Sequence, residues 1–304
     1  MDPARLRRDP APSLELAAGW EDYALLDCGA GRKLERYGAV RVVRPEPQCW
    51  WRPRLPEEAW AAADAAFDPH GEEDEGRWRL KGGALPDWDL RFGPARFKAR
   101  LTPFRHLGFF PEQQPNWLFL EARVRALGRP FRLLNLFGYS GVATLVAAAA
   151  GALVTHVDAS KKAIAYAREN AQISGLTERP IRWICEDARR YVQREVKRGI
   201  LYDGVVLDPP KYGRGPGGEV WRLHEDLAPL VRACADLLAP DADLLLLNAY
   251  AERLSGLSLA SLLEESLARR EGRLAFGELG LREVEGPSPA RAVGLSFFAR
   301  WSRT

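Results

Sequence analysis

Four short segments carry residue types that suit recognition of a nucleoside and of a group to be transferred, and each follows an apolar, strand-like run. The first is Asn135-Leu136-Phe137-Gly138-Tyr139-Ser140-Gly141. Glycines at the carboxyl tip of a first strand let backbone approach a ligand closely. The spacing is G-x-x-G, without the glycines of a G-x-G-x-x-G pyrophosphate turn, and a plain strand-to-helix turn is the alternative. The second is Asp158, 20 residues after Gly138 and at the end of the next run; a carboxylate there can accept from both hydroxyls of a ribose. Glycine turn and acid together imply an adenosine-type ligand. The third is Cys185-Glu186-Asp187-Ala188, where Asp187 can accept from an adenine amino group or cap the following helix. The fourth is Asp208-Pro209-Pro210-Lys211-Tyr212. Two prolines cannot donate ladder hydrogen bonds, so the strand stops in a fixed, extended turn. That turn can hold the polar edge of a planar acceptor beside Asp208, with Tyr212 placed for stacking; otherwise it only ends a strand.

The elements that must position these residues follow from periodicity. From about residue 131, strand-like runs (131–137, 154–158, 181–186, 202–207, 243–248) alternate with amphipathic stretches (142–150, 161–174, 188–198, 220–238, 258–270), the pattern of a parallel sheet wrapped by helices. The last two runs, 274–284 and 293–301, are separated only by the turn-rich Glu285-Gly286-Pro287-Ser288-Pro289, too short for a crossover, and so predict an antiparallel hairpin. The expected fold is α/β, a Rossmann-like sheet of five parallel strands closed by that hairpin (residues 101–304). Before it, short strand candidates at 23–27, 33–37, 40–43, 77–80, 90–92 and 97–101, separated by Gly- and Pro-rich turns, predict a smaller β-rich domain (residues 1–100). Residues 68–75 read as an acidic surface loop.

Composition narrows the classes. With 304 residues, 46% hydrophobic and 28% charged, the chain reads as soluble and folded. Its longest apolar stretch, Val142 to Val154, is shorter than the roughly 20 residues of a membrane helix, and no secretory signal is visible behind the basic start, so cytoplasm is the expected compartment. The four cysteines (28, 49, 185, 234) and four histidines (70, 106, 156, 224) form no metal-ligand spacing, and no metal is expected. Net charge is only +3, yet 37 of the 44 basic residues are arginine, which suits phosphate and base contacts and equally reflects genome composition. In the front domain Arg52, Arg54, Arg77, Arg79, Arg91, Arg96, Arg100 and Arg105 interleave with Trp50, Trp51, Trp78, Trp88 and Phe92, an RNA-compatible set unless the aromatics form a small core. The sequence assigns no oligomeric state.

Together the four segments and the hairpin resemble class I methyltransferases that use S-adenosylmethionine. Asn135 to Gly141, Val157 to Ser160, Arg168-Glu169-Asn170-Ala171, Glu186 to Ala188 and Leu207 to Lys211, with Gly108-Phe109-Phe110-Pro111-Glu112-Gln113, are similar to the cytosine-C5 branch of the bacterial 23S ribosomal RNA large-subunit methyltransferases. The resemblance implies that Asn135, Phe137, Gly138 and Gly141 border the methionine moiety. It places Asp158 at the ribose and Asp187 at the adenine, counts Tyr139, Ser160, Ala188 and Asp208 among the cofactor-binding residues, closes Phe110 and Gln113 over the cofactor, and lines the acceptor site with Asp208, Pro209, Pro210 and Lys211. It departs at Gln114, where the family has Arg, and after the fifth strand. There the family's catalytic cysteine is replaced by Asn248-Ala249-Tyr250.

The expectation is an S-adenosylmethionine-dependent methyltransferase acting on RNA, ribosomal RNA favoured, with the acceptor atom open. A nitrogen acceptor needs no covalent nucleophile. The competing readings are a nucleotide-dependent oxidoreductase on a related sheet and a non-catalytic RNA-binding factor.

Overall fold

The computed structural model describes residues 6–70, 76–250, 253–284 and 289–304. In chain order the strands are β1 Leu6–Arg8, β2 Ser13–Ala17, β3 Tyr23–Gly29, β4 Arg32–Tyr37, β5 Val40–Pro45, β6 Ala65–Pro69, β7 Gly76–Leu80, β8 Trp88–Phe92, β9 Ala95–Ala99, β10 Arg132–Leu136, β11 Leu153–Asp158, β12 Ile181–Cys185, β13 Gly204–Leu207, β14 Tyr212–Arg214, β15 Val220–Arg222, β16 Leu244–Ala249, β17 Gly272–Arg282 and β18 Ala292–Ser302. The helices are α1 Glu57–Ala61, α2 Gln114–Ala126, α3 Val142–Ala150, α4 Lys161–Ile173, α5 Ala188–Lys197, α6 Leu223–Asp236 and α7 Gly256–Ser266.

Two compact units result: Met1–Glu15, Pro115–Leu279 and Leu295–Thr304 form the first, Leu16–Gln114 and Gly280–Gly294 the second. The first is built on a sheet of order β12-β11-β10-β13-β16-β18-β17-β1, with β2 also on β17. The five expected strands are parallel to their neighbours, and β18 runs antiparallel to β16. The chain steps outward from β10 to β12, then returns to β13 on the other side of β10. Strand order thus reverses between β10 and β13, the place where open α/β sheets bind ligands. Alternate residues serve opposite faces. Leu133, Val206, Leu244 and Leu246 pack with Ala147 and Ala148 of α3, while Leu134, Leu136, Val205, Leu207, Leu245 and Leu247 pack with Tyr191 of α5, Leu227, Leu230 and Val231 of α6, and Leu263 of α7.

Four expectations are corrected. The N-terminal segment adds β1, parallel to β17, to the first unit's sheet; Leu6-Arg7-Arg8 carries no strand pattern because an edge strand is specified by its partner. The helix expected from Val220 starts at Leu223, since Val220–Arg222 pairs antiparallel with Tyr212–Arg214. Ala65–Pro69 is a strand, paired with both β5 and β7, so Asp68 and Pro69 end a strand and do not begin a loop; Gly71 to Glu75, like Glu285 to Ser288, lie outside the described residues. Finally, the boundary drawn at residue 100 moves to 114. The Thr102 and Pro103 carbonyls accept from the Trp78 indole and the Gly76 amide, and Phe109 packs on Phe97, Tyr37 and Trp20 with ring centres 4.8, 5.6 and 5.8 Å apart.

The second unit holds the five-stranded sheet β3-β4-β5-β6-β7 and the pair β8-β9. Its arginines are largely engaged: Arg79 with Asp68, Arg100 with Asp87, Arg54 with Glu283. Phe92 is buried, and the Trp51 and Trp88 indoles donate to the Cys28 and Tyr37 carbonyls, so this part of the aromatic set is framework. Trp50, 86% exposed, is not. At the centre of the unit Glu35 is fully buried and accepts from Arg44 Nε at 2.7 Å, Arg44 Nη2 at 2.8 Å and the Tyr23 and Tyr37 hydroxyls at 2.8 and 3.0 Å. Burial pushes its carboxyl up, but Arg44 and Lys33 outweigh this and hold it at about 2. Glu35→Gln leaves Arg44 buried without a counter-charge and should cost about 3–5 kcal/mol at neutral pH. Urea unfolding checks this, and a variant within 1 kcal/mol of the parent would contradict it.

Candidate active site

The turn after β10 is built under steric compulsion. Phe137 and Tyr139 have φ of +58° and +45°, and Gly141 has +86°; each non-glycine residue there carries strain of order 1–3 kcal/mol. Gly138 is required for another reason: a Cβ would lie 2.4 Å from the His156 ring. Hydrogen bonds hold the turn in place. The Gly138 amide donates to the Val157 carbonyl at 3.1 Å, Asn170 Nδ2 to the Ser140 carbonyl at 2.8 Å, and the Tyr139 amide to Asp158 Oδ2 at 2.9 Å.

Beneath it, Asn135 Nδ2 donates to Thr144 Oγ1 at 2.9 Å, and Thr144 Oγ1 lies 2.9 Å from His156 Nδ1. The hydroxyl accepts from Asn135 and has its proton left for the imidazole. All three side chains are buried, and among the described residues His156 Nε2 has no partner. Burial pushes His156 down to about 3. Asn135, expected at the ligand, has its Nδ2 engaged under the turn by Thr144.

Asp158 receives the Ser160 amide at Oδ1, 2.8 Å, and the Tyr139 amide at Oδ2. Desolvation nevertheless raises its pKa, against those two bonds. Each oxygen keeps acceptor capacity. The Ser160 hydroxyl caps α4 through the Ala163 amide. Asp187 caps α5, its side chain accepting the Arg189 and Arg190 amides at 2.9 and 3.2 Å, and it binds the Arg189 guanidinium as well; Ala188, buried, opens that helix. At the tip of β13, Asp208 Oδ1 accepts from Asn248 Nδ2 at 2.9 Å, while Asn248 Oδ1 accepts from Ser296 Oγ at 3.2 Å. Pro209 is buried; Pro210 and Lys211 are exposed. The Pro210 carbonyl accepts from Trp221 Nε1 at 2.7 Å, and Trp221 in turn faces Phe137, their ring centres 4.9 Å apart.

The structure therefore joins the glycine turn directly to Asp158, and through Trp221 to the Asp208–Lys211 turn. Phe110 and Gln113 belong to the second unit, Phe110 beside His106 and Gln113 buried. Sequence reasoning passed over His156, Thr144 and Trp221, and met Asn248 only as part of the segment in the place of the family's cysteine. Glycine backbone at one strand tip and a carboxylate at the next can hold the amino-acid and sugar ends of a nucleoside derivative.

The sequence pattern of the S-adenosylmethionine-dependent methyltransferases matches residues 56–297. The chain belongs to that family. The crystal structure of the SAM-dependent methyltransferase from Agrobacterium tumefaciens is 46% identical, with a TM-score of 0.94 over 99% of this chain and 96% of that one. Ribosomal RNA large subunit methyltransferase K/L of Syntrophotalea carbinolica is 31% identical over 54% of this chain, and that of Chromohalobacter salexigens 30% over 53%. The match spans 22% and 21% of those relatives' lengths. The family sets aside the oxidoreductase reading, and this methyltransferase uses S-adenosylmethionine. Among the described residues no helix is long and apolar enough to cross a membrane, and no group of three or more His, Cys, Asp or Glu is placed to hold a metal.

The buried imidazole gives a pH signature. Unfolded histidine titrates near 6.5 and His156 near 3, so between those values the unfolded chain binds more protons and stability falls as pH falls, by up to about 1.4 kcal/mol per pH unit. His156→Leu should remove that component of the slope. Urea unfolding at pH 6.5 and 4.5 decides, and identical slopes in parent and variant would count against a buried neutral ring.

Proposed function

We propose that this methyltransferase transfers the methyl group to a nitrogen of a base in ribosomal RNA. In this reading the backbone of Phe137 to Gly141 borders the methionine end of the cofactor, Asp158 takes the ribose hydroxyls on the acceptor capacity left by Tyr139 and Ser160, and Asp187 takes the adenine amino group. The cradle fits such a group. Gly138 and Gly141 bring bare backbone to the strand tip, and the carboxylate beside it is already oriented from both sides. Asn135 serves as a support under the turn. When bound, the cofactor supplies a methyl made electrophilic by the adjacent sulfonium, so the chain's task is alignment and proton handling.

One observation carries the nitrogen acceptor. By the resemblance to the cytosine-C5 branch, Asn248-Ala249-Tyr250 stands where carbon methylation would require a thiol, and Asn248 holds Asp208. Cys234 is fully buried in α6, its thiol pushed up by burial, and Cys185 ends β12 with Sγ 3.7 Å from the Ala159 carbonyl; neither follows β16. With Oδ1 accepting from Asn248, Asp208 stands beside the double-proline turn as the carboxylate that would accept an amine N–H and, as the methyl arrives, its proton. A nitrogen brings its own lone pair and needs no covalent activation. The RNA substrate rests on the names of the K/L relatives and on Trp50 and the exposed cations Arg52, Lys211 and Arg214.

Ribosomal RNA from a strain lacking the gene, incubated with the protein and methyl-labelled S-adenosylmethionine and digested to nucleosides, should yield an N-methylated base on mass spectrometry. 5-Methylcytosine would overturn the nitrogen acceptor, and an unlabelled RNA the substrate class. Asp208→Ala should lower kcat about 10²- to 10³-fold with cofactor affinity held within a few fold. Asp158→Ala should weaken cofactor binding by about 1–3 kcal/mol, the cost of buried hydroxyls left unpaired; calorimetry showing unchanged affinity would remove Asp158 from the ribose.

A further inference from the structure

Three parts of the site meet on one side chain. The Trp221 indole, 3% exposed, faces Phe137 at 4.9 Å and donates to the Pro210 carbonyl at 2.7 Å. The Arg189 guanidinium lies 5.8 Å from its ring centre, held by Asp187 and by Asp226 at 3.1 and 2.7 Å. Trp221 therefore touches the glycine turn, the cation bound to the α5 cap and the turn after Asp208. Phe137 has little freedom of its own: its φ is +58° and the next residue has no room against His156. Displacement of the turn must therefore be passed to the indole. On the other side, Lys211, Tyr212 and Arg214 are exposed, and β14 and β15 pair over only three residues each. So short a ribbon is weak alone, and its anchor decides its form.

We propose that Trp221 is a positioning residue that couples cofactor occupancy at the glycine turn to the form of the loop Lys211–Arg222, so that the loop takes its working form after the cofactor is bound. The inference rests on the assignment of Asp208–Lys211 to the acceptor. Two sites are coupled only through an element whose equilibrium both of them bias, and the indole, in contact with both, is that element here.

Hydrogen–deuterium exchange with and without saturating S-adenosylhomocysteine reads the coupling without any RNA. In the parent, exchange should slow at residues 137–141 and, at least threefold, at 212–222. Trp221→Phe keeps a ring against Phe137 and Arg189 but lacks the N–H. It should bind S-adenosylhomocysteine within threefold of the parent and retain the protection at the turn, while losing the added protection at 212–222. Phe137→Leu, which removes the contact from the other end, should show the same loss in the loop at saturating ligand and serves if the Trp221 variant does not fold. Protection confined to the turn in the parent, or loop protection retained in either variant, overturns the proposal. So does a Trp221→Phe protein whose ligand affinity and loop protection fall together, because the indole is then only a wall of the cofactor site. The acceptor assignment fails separately: the exchange pattern stands as expected while Asp208→Ala turns over RNA at the parental rate.

Discussion

The turn after β10 depends on one close approach, that of Gly138 to the buried ring of His156, where a Cβ would come within 2.4 Å of it. That approach lets the chain leave β10, turn through two left-handed non-glycine residues and still present the Tyr139 amide to Asp158 at 2.9 Å. The carboxylate is thereby fixed by both strands it serves, its own through Ser160 and its neighbour's through Tyr139. Pre-orientation of this kind spares the ligand the entropic cost of ordering the site. It also explains the polar chain below the turn. A ring large enough to set the height of the backbone has to be buried, and a buried imidazole needs a partner for Nδ1, which Thr144 supplies while Asn135 engages Thr144.

The tip of β13 is organised differently. Asp208 accepts from the Asn248 amide, which is itself oriented by Ser296. Asn248 also pairs with Phe298 in the β16–β18 register, so the residue that orients Asp208 is itself fixed by the sheet.

The parallel strands were legible because each is a short apolar run that alternates with an amphipathic helical stretch. The Leu244 to Leu247 run reads as central, and it is, flanked by β13 and β18. Glycine turn, Asp158 and the double proline were legible because spacing along the chain places them on adjacent strand tips. What remained hidden lacks a one-dimensional signal. Leu6–Arg8 and Ala65–Pro69 are strands by virtue of their partners. A three-residue ribbon such as β14–β15 is shorter than any periodicity, so Trp221 was read as helix. Residue type alone also says nothing of direction: the Asn135 amide nitrogen turns to Thr144. The boundary at 114 was invisible for a related reason: Gly108 to Gln113 carries a methyltransferase-like motif, yet Phe109 within it is a core residue of the second unit.

The loop after Asp208 shows how such blindness can conceal function. Asp-Pro-Pro rigidifies the first residues, but proline cannot donate, and the carbonyl of Pro210 needs a donor from elsewhere if the turn is to be held. Trp221, 11 residues on, supplies it. The hairpin of β14 and β15 returns the indole to that carbonyl, and the ring lies against Phe137 of the glycine turn. The hydrogen-bond acceptor beside the double proline and the strained turn after β10 are thus packed on a single ring.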